Sequence, residues 1–296
     1  MNCVGGIELR LGAHMSVSEG KHMAFYKGRE LKCESIQVFI RNVRSWATKP
    51  LEQKDIGKFL ETKEEFKEEI WPVISHNSYL INLASIDKEK LEKSYNAMLD
   101  ELTKATQLKI EYENMHPGVI PVSDKDKITK DEAFTQIATQ LNKLMDETKE
   151  SKVKILLETT AGQGKGLGNK FHHLKKIIDK INNKDRIGVC FDTAHSFAAG
   201  YDFTTNKKYN EMWNDFDDVI GLKYLFAFHL NDTEKELASR IDRHTHIGQG
   251  KIGKEAFRLL LNDEKFKDHP GILETPKGKD LKEDVMNLKV LRSLIK

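Results

Sequence analysis

The 296-residue chain lacks the features that assign a protein to a disulfide-rich or membrane class. Its three cysteines, Cys3, Cys33 and Cys190, are an odd number without a C-x-x-C pair, so a reducing, intracellular compartment is expected. No apolar run approaches the ~20 residues of a membrane span. Residues 1–6 also lack the basic head and apolar core of a signal peptide, and we expect no membrane association.

The chain also lacks a strong charge of either sign, since its formal net charge is +2. A balanced total can conceal a basic face, so this value neither supports nor excludes a nucleic-acid partner. No long Pro/Gly/Ser linker divides the sequence. The length is enough to bury a large core without disulfides, and it fits a single domain over residues 1–296, with residues 1–6 as an N-terminal extension. Nothing requires more than a monomer.

What the sequence does contain is an alternation of short apolar runs with amphipathic helical segments, which is typical of parallel β/α architecture. The eight strand-like runs are 8–13, 35–40, 71–75, 109–115, 154–157, 187–191, 224–228 and 271–273. The helical segments between them include 53–69, 87–107, 130–150, 167–181 and 251–261. This pattern predicts an α/β fold, a (β/α)8 TIM barrel. A doubly wound open sheet is the alternative, but its ligands gather at one switch point.

Histidines and carboxylates lie at or just past the ends of nearly all these runs. A β/α barrel builds its active site from the carboxyl ends of its strands, so we expect these side chains to meet in one cup. The set contains five histidines and four carboxylates: His76, His116, Glu158, Asp192, His195, His229, Asp242, His244 and Glu274. One tetrahedral zinc takes four ligands. The set therefore predicts a hydrolase with two or three metal ions that share bridging carboxylates.

Each candidate ligand is weak evidence when it is taken alone. The Asp192/His195 and Asp242/His244 spacings suit chelation on a helical turn and on an extended segment, but either pair also suits a structural salt bridge. A lone strand-end histidine is more often a core residue. His14 is expected to line the cup behind the ligands or to face a phosphate. The remaining histidines are expected to be solvated: His22, His172, His173, His246 and His269.

The glycine-rich run 162–168 resembles a phosphate loop, but it matches neither of the usual nucleotide-binding patterns. We therefore expect its glycines to let the chain turn tightly beside the metal cluster or a nucleic-acid backbone.

Several phrases together resemble the endonuclease IV family of apurinic/apyrimidinic endonucleases. They cover almost the whole chain in the family's order and are residues 12–14, 76–83, 116–118, 158–164, 188–195, 198–202, 229–232, 242–244 and 273–275. The sequence departs from the family at Thr159, where Asn is frequent, and at Val119-Ile120, where a Ser-His pair is common. Neither departure removes a proposed ligand.

The resemblance implies a site with three zinc ions that acts on abasic sites in double-stranded DNA. The first zinc would be held by His76, His116 and Glu158. Glu158 would bridge to a second zinc, held also by Asp192, His229 and Glu274, and the third would be held by His195, Asp242 and His244.

The activity implied is cleavage of the phosphodiester 5′ to the abasic site by a zinc-activated hydroxide, with Glu158 and Glu274 as catalytic residues. Glu274 would orient the hydroxide or act as base. The products are a 3′-hydroxyl and a 5′-deoxyribose phosphate, and 3′-end trimming in base excision repair is expected too. The location implied is cytoplasmic or nucleoid-associated, or the nucleus or virion in a eukaryotic or viral setting.

The resemblance also places a DNA-binding rim on two loops, with Arg44 before Trp46 on one and Tyr79-Leu80 on the other. An abasic nucleotide leaves the helix at low cost, and apolar wedges fill the vacated stack. The alternative is that Tyr79 and Leu80 pack within their loop. Trp46 is expected to anchor its own loop.

Two other classes of function compete with this hypothesis. Sugar isomerases and epimerases share the barrel, but their sites usually hold fewer ligands, mostly carboxylates. A metal-stabilised DNA-binding protein would bind without nicking. The five candidate histidines argue against the first class, and the complete ligand set argues against the second.

Overall fold

The computed structural model of the protein describes residues 9–296. The strands are β1 (Arg10–Met15), β2 (Ser35–Val38), β3 (Val73–His76), β4 (Tyr112–Met115), β5 (Lys154–Glu158), β6 (Ile187–Asp192), β7 (Leu225–His229), β8 (Asp232–Thr233), β9 (His244–Thr245) and β10 (Pro270–Leu273). The α-helices are α1 (Met23–Glu30), α2 (Gln53–Glu65), α3 (Lys88–Gln107), α4 (Lys130–Glu147), α5 (Phe171–Asp179), α6 (Thr193–Ala199), α7 (Asn206–Val219), α8 (Gly253–Leu261) and α9 (Lys282–Ser293).

Eight of these strands form a closed parallel barrel in the order β1-β10-β7-β6-β5-β4-β3-β2. Closure depends on β1, which pairs with β2 on one side and with β10 on the other. Gly12 permits the close approach of β2, because a Cβ at this position would lie 1.9 Å from the carbonyl oxygen of Ser35. The predicted TIM barrel is confirmed, and the open sheet is excluded.

The barrel interior is filled by a small apolar cluster. Its members come from five strands and are Ile74, Leu156, Cys190, Ala227 and Ile272, with Tyr112 and Phe226 packed against them. Burial raises the pKa of the Cys190 thiol to about 12. Cys190 belongs to the interior cluster and stays a neutral core residue. Cys3 lies outside the described residues, as do residues 1–6 and the first residue of the first predicted strand run.

The helices surround the barrel and pack their apolar faces on the outer surface of the strands, in the pattern that a 3.6-residue period predicts. Their starts are fixed by local hydrogen bonds. The Asp87 carboxylate accepts from the Lys90 N–H at the start of α3, and Thr129 and Glu132 form a capping box at the start of α4. Each such cap stabilises its helix by ~1 kcal/mol. Within residues 9–296, no helix combines the length and apolar character that crossing a membrane requires.

A small antiparallel hairpin follows the seventh barrel strand. Its strands β8 and β9 pair Asp232 with Thr245 and Thr233 with His244. The loop between them, residues 234–243, lies at the carboxyl end of the barrel, because the N–H groups of Ala238 and Arg240 donate to carbonyls of α6. The hairpin thereby carries Asp242 and His244 toward the strand ends.

Candidate metal centre

The nine predicted ligands converge at the carboxyl end of the barrel. Most of them end a strand or follow one directly, and the hairpin supplies the others. His76 ends β3, His116 follows β4, Glu158 ends β5, Asp192 ends β6, His195 lies on α6, His229 ends β7, Asp242 and His244 come from the hairpin, and Glu274 follows β10. The fold thus brings together residues spread over about two thirds of the sequence.

Donor atoms within this cluster form three groups, and the atoms of each group lie within 4.8 Å of one another. The groups are His76, His116 and Glu158; Glu158, Asp192, His229 and Glu274; and Asp192, His195 and His244. Asp242 adjoins the third group, since its carboxylate oxygens lie 3.2 Å from His195 Nε2 and 3.3 Å from His244 Nε2. Glu158 and Asp192 each belong to two groups.

Glu158 lies at the centre of the cluster and is fully buried. Its Oε2 lies 3.3 Å from His76 Nε2 and 3.5 Å from His116 Nε2. Its Oε1 lies 2.9 Å from His195 Nδ1 and 3.3 Å from His229 Nδ1. The two oxygens therefore face different groups of histidines, which is the placement of a bridging carboxylate.

Asp192 joins the second group to the third. Its Oδ2 lies 3.8 Å from both His229 Nδ1 and His244 Nε2. Its Oδ1 accepts a 2.7 Å hydrogen bond from the His195 main-chain N–H and caps α6. This hydrogen bond fixes the orientation of the Asp192 carboxylate. Its Oδ2 is therefore held facing both the second and the third donor group.

Hydrogen bonds from one ring nitrogen orient four of the five histidines. His76 Nδ1 lies 2.9 Å from the Asn77 carbonyl, and His195 Nδ1 lies 2.9 Å from the Thr159 carbonyl. His244 Nδ1 lies 3.3 Å from the Glu274 carbonyl. His229 Nε2 lies 2.8 Å from the side-chain oxygen Oε1 of Gln37. Each of these nitrogens therefore carries the proton and donates. The other nitrogen of each ring faces a carboxylate and is the one placed to bind a metal ion, as in metal-ligating histidines.

Among the residues that the structure describes, three atoms at the centre of the cluster are buried without a hydrogen-bond partner: Glu158 Oε1, His229 Nδ1 and His244 Nε2. A buried polar atom without a partner costs roughly 1–3 kcal/mol, more when it is charged. Nitrogen and carboxylate donors grouped without thiolates suit zinc at a catalytic rather than a structural site. The residues present therefore fit metal ions, and cations between these donors would satisfy all three atoms.

The charges of the cluster are strongly coupled. Burial disfavours protonated His195, but Asp192, Asp242 and Glu158 outweigh this effect and raise its pKa well above the usual value. Burial likewise opposes ionisation of Asp242, yet His195 holds the pKa of that carboxyl at about 2. The carboxylates thus demand positive charge, which metal ions supply when they displace protons.

Two amide side chains that the sequence reasoning missed hold the carboxylates and a histidine in place. Gln37 on β2 accepts from His229 and donates to Glu274 Oε1. Asn231 donates to Asp192 Oδ2 over 2.8 Å and accepts from the Glu274 N–H over 2.9 Å. The available signal was a buried glutamine in the otherwise apolar end of strand run 35–40, and an asparagine two residues after His229.

His14 lies next to Gln37 and Glu274, and its role behind the ligands stays a prediction. Its Nδ1 is 3.0 Å from Gln37 Nε2 and 3.7 Å from Glu274 Oε1, and burial lowers its pKa. It belongs to none of the three donor groups found among residues 9–296.

The expectation that the other histidines are solvated is wrong for His173. This residue is 3% exposed and packs against Phe134, with the ring centroids 5.0 Å apart. Burial, with Lys130 nearby, lowers its pKa to about 3. The helical spacing of α5 turns His173 inward and leaves His172 exposed.

The rim residues differ in exposure. Tyr79 is 63% exposed, and its ring centroid lies 5.6 Å from that of His76 and 6.0 Å from that of His116. Leu80 is half-buried beside it, and Arg44 is exposed on the loop after β2. A cavity of about 180 Å³ opens between Tyr79 and Asp242, with His116 and His195 in its wall. Tyr79 therefore stands at the mouth of the metal centre. Trp46 is 41% exposed and its carbonyl accepts from Arg41, and its role as an anchor of the loop stays a prediction.

The barrel and its cup define the class of the protein. The model of the xylose isomerase-like TIM barrel family matches residues 25–294, which is most of the chain.

Closer relatives define the family within that class. The chain is 45% identical to "Probable endonuclease 4" of Chloroflexus aggregans, over 97% of this chain and 98% of that protein. It is 43% identical to the "Apurinic-apyrimidinic endonuclease" of Caenorhabditis elegans, over 93% of this chain and 68% of that protein. The crystal structure of endonuclease IV from Thermus thermophilus matches with a TM-score of 0.82 at 31% identity, over 96% of this chain and 98% of that one. The chain belongs to the endonuclease IV family, which confirms the resemblance.

Proposed function

We propose that the protein is a zinc-dependent DNA-repair endonuclease that cleaves the phosphodiester 5′ to an abasic site. The observation that carries the proposal is the placement of nine histidine and carboxylate side chains in adjoining donor groups that share Glu158 and Asp192. Relatives at 43–45% identity bear the names endonuclease 4 and apurinic-apyrimidinic endonuclease, which supports the same activity.

Three zinc ions fit the donor groups. The first ion would be held by His76, His116 and Glu158. The second would be held by Glu158, Asp192, His229 and Glu274. The third would be held by His195, Asp242 and His244. Bound zinc makes a nucleophile available at neutral pH and neutralises charge on a phosphate. Asp192 also faces the third group, so it is a second carboxylate placed between two ions.

Glu274 is the carboxylate that we place next to the reacting phosphate. Its side chain is 15% exposed, whereas those of Glu158 and Asp192 are fully buried. Gln37 and the main-chain bond to Asn231 fix its position. Glu274 therefore orients the attacking water or takes its proton at the open side of the cup. Hydrolysis does not need a Schiff base between a lysine and the abasic sugar, so β-elimination is not expected. The products are a 3′-hydroxyl and a 5′-deoxyribose phosphate.

The rim provides selectivity for the lesion. A nucleotide without a base has lost its stacking and pairing, so it turns out of the duplex at less cost than a normal one. Tyr79 and Leu80 at the mouth of the cup, with Arg44 on the neighbouring loop, fill the gap that the nucleotide leaves. We further propose that the protein acts as a monomer on double-stranded DNA and that it also trims blocked 3′ ends. Its proposed location is inside the cell, in the cytoplasm or associated with the nucleoid.

The test is metal analysis of the purified protein, followed by incubation with a duplex that carries one abasic site and end-group analysis of the products. We expect about three zinc per chain, one for each donor group, and a nick with a 3′-hydroxyl. At most one zinc per chain, with no nicking after zinc is restored, would refute the proposal. Binding without nicking would favour a DNA-binding protein, and a β-elimination product would exclude the hydrolytic mechanism.

A further inference from the structure

A second cavity lies beside the metal centre, on the other side of the glycine-rich segment 162–168. Its volume is about 580 Å³, and it shares Gly162 and Gly166 with the cavity that contains His116 and Asp242. Four cationic side chains line it: Lys125, Lys130, Lys165 and Arg240. None of the described residues that line it is acidic. We call it the basic cavity.

Three of its cations carry charge that the protein does not neutralise. Within residues 9–296, no carboxylate lies within 4.0 Å of Lys130, Lys165 or Arg240. The acids nearest in sequence are engaged elsewhere, since Asp131 pairs with Lys176 and Glu132 is held in the capping box of α4. Positive charges in one concave surface reinforce one another and attract anions.

The backbone holds two of these cations in conformations that side chains rarely adopt. Lys165 has φ +68° and Arg240 has φ +56°. Each such residue costs on the order of 1 kcal/mol and persists where the surrounding structure fixes it, frequently at ligand sites. The Arg240 N–H donates to the Ala198 carbonyl over 2.9 Å. Two strained residues that are both cationic and line the same cavity indicate a binding surface.

The basic cavity is physically joined to the metal centre. The side-chain oxygen of Gln163, in the glycine-rich segment, accepts a 2.8 Å hydrogen bond from the main-chain N–H of Asp242. Arg240 lies two residues before Asp242 on the same loop. An extended anion that enters the cup therefore continues into the cavity without leaving the protein surface.

We propose that the basic cavity binds the sugar–phosphate backbone of DNA next to the cleaved bond, with Lys130, Lys165 and Arg240 contacting phosphates. This inference rests on the proposed function and adds to it a site outside the metal centre. Contacts to phosphates position a duplex but carry no information on sequence or damage. The cavity therefore raises affinity for intact and abasic duplexes alike.

The test removes the three unpaired charges together, with the substitutions Lys130→Gln, Lys165→Asn and Arg240→Asn. Asparagine adopts the left-handed conformation more readily than lysine or arginine, so a loss of binding would not stem from added backbone strain. The matched control removes three exposed lysines on the helical sides of the barrel, Lys58→Gln, Lys143→Gln and Lys289→Gln. Both triple variants lower the net charge equally. Zinc content and thermal unfolding of the loaded proteins check that each is folded.

Binding of the zinc-loaded proteins to intact and abasic duplexes is measured over a series of salt concentrations. Each lost phosphate contact reduces the slope of log K against log salt by about 0.9, so the cavity variant should lose about 2 to 3 units of slope. The control variant should keep nearly the wild-type slope. The ratio of abasic to intact affinity should stay within about twofold of the wild type, because the lost contacts do not read the lesion.

An unchanged slope in the cavity variant, or an equal loss in the control, overturns the proposal. A changed abasic-to-intact ratio also overturns it, since the cavity would then read the lesion. A further outcome is that inorganic phosphate or a mononucleotide competes with DNA for the wild type but not for the cavity variant, while the salt slope of DNA binding is the same in both proteins. That outcome would overturn the proposal and assign the cavity to a small anion. Wild-type nicking of the abasic duplex is measured first, so failure of the proposed function is recognised separately.

Discussion

Arg41 and Glu101, both buried, tie the two rim loops to α3. The guanidinium of Arg41 donates to the carbonyls of Ser45 and Trp46 over 3.1 and 2.9 Å, and the Glu101 carboxylate accepts from the Ser78 N–H over 3.2 Å. Arg41 Nε lies 3.7 Å from Glu101 Oε1. The loop with Arg44 and the loop with Tyr79 thus share one anchor.

The first prediction concerns this anchor. Arg41→Ala should lower the free energy of unfolding by roughly 3–5 kcal/mol, because it removes one partner of a buried charged network. Arg44→Ala, three residues away on the rim loop, should change it by less than about 0.5 kcal/mol. Denaturant unfolding of the zinc-loaded proteins measures both. Equal small effects of the two substitutions would show that the anchor does not hold the loops.

The second prediction concerns Glu158. Glu158→Ala should reduce zinc content and abolish nicking, since this carboxylate faces two donor groups. The loss of metal affinity should exceed the roughly 10- to 100-fold that removal of an outer partner costs. Metal analysis after dialysis and a nicking assay provide the readouts. Glu68→Ala, an exposed glutamate beyond α2, is the control and should behave as wild type. Near-normal nicking by the Glu158 variant would refute its bridging role.

The third prediction concerns Gln37. Gln37→Leu should lower zinc affinity by about 10- to 100-fold, because His229 and Glu274 lose the amide that orients them. The exposed residue Gln53, changed to Leu, is the control. Competition with a chelator of known affinity measures the difference. Identical zinc affinities in the two variants would contradict the orienting role.

The fourth prediction concerns metal removal. Ions that bind only the folded chain stabilise it by about 2.7 kcal/mol when free zinc is one hundred times Kd. Chelation should therefore lower the unfolding temperature, and added zinc should restore it. Thermal unfolding with and without chelator measures the shift. Glu158→Ala should show a much smaller shift, and a full shift in that variant would place the stabilising metal elsewhere.

The fifth prediction concerns pH and His173. The folded-state pKa is lowered from 6.5 to about 3, so below pH 6.5 the unfolded chain binds a proton that the folded chain does not. Stability falls as pH decreases through this window, by up to about 1.4 kcal/mol per pH unit. His173→Leu should remove this dependence, whereas exposed His172→Gln should keep it. Unfolding at pH 7, 6 and 5 compares the variants, and parallel curves for wild type and His173→Leu would exclude the effect.

Much of the fold was predictable from the sequence, because a buried parallel strand is an uninterrupted apolar run. Each of the eight predicted runs contains or overlaps a barrel strand, and the ligands at their ends, such as His76 and His229, were expected to meet. Strand polarity alone places those residues at one end of the barrel. The strand pattern alone does not tell which donors adjoin which, because that depends on strand register and side-chain rotamers. The grouping stated from the sequence came from the family resemblance.

Other parts of the site had only a weak local signal. Gln37 is separated from Glu274 by most of the chain, and its role emerges only when β1 closes the barrel between β2 and β10. The basic cavity depends on a loop conformation at Lys165 and Arg240 that no residue preference favours. The expectation for His173 was wrong because the orientation of α5 decides which of two adjacent histidines is buried, and it packs His173 against Phe134 of α4.

The sharing of Glu158 and Asp192 among donor groups has a consequence for how the cluster tolerates change. A substitution at either carboxylate disturbs two groups at once, whereas a substitution at His116 disturbs only one. Damage at the shared positions would therefore spread through the cluster, and damage at the unshared positions would stay local.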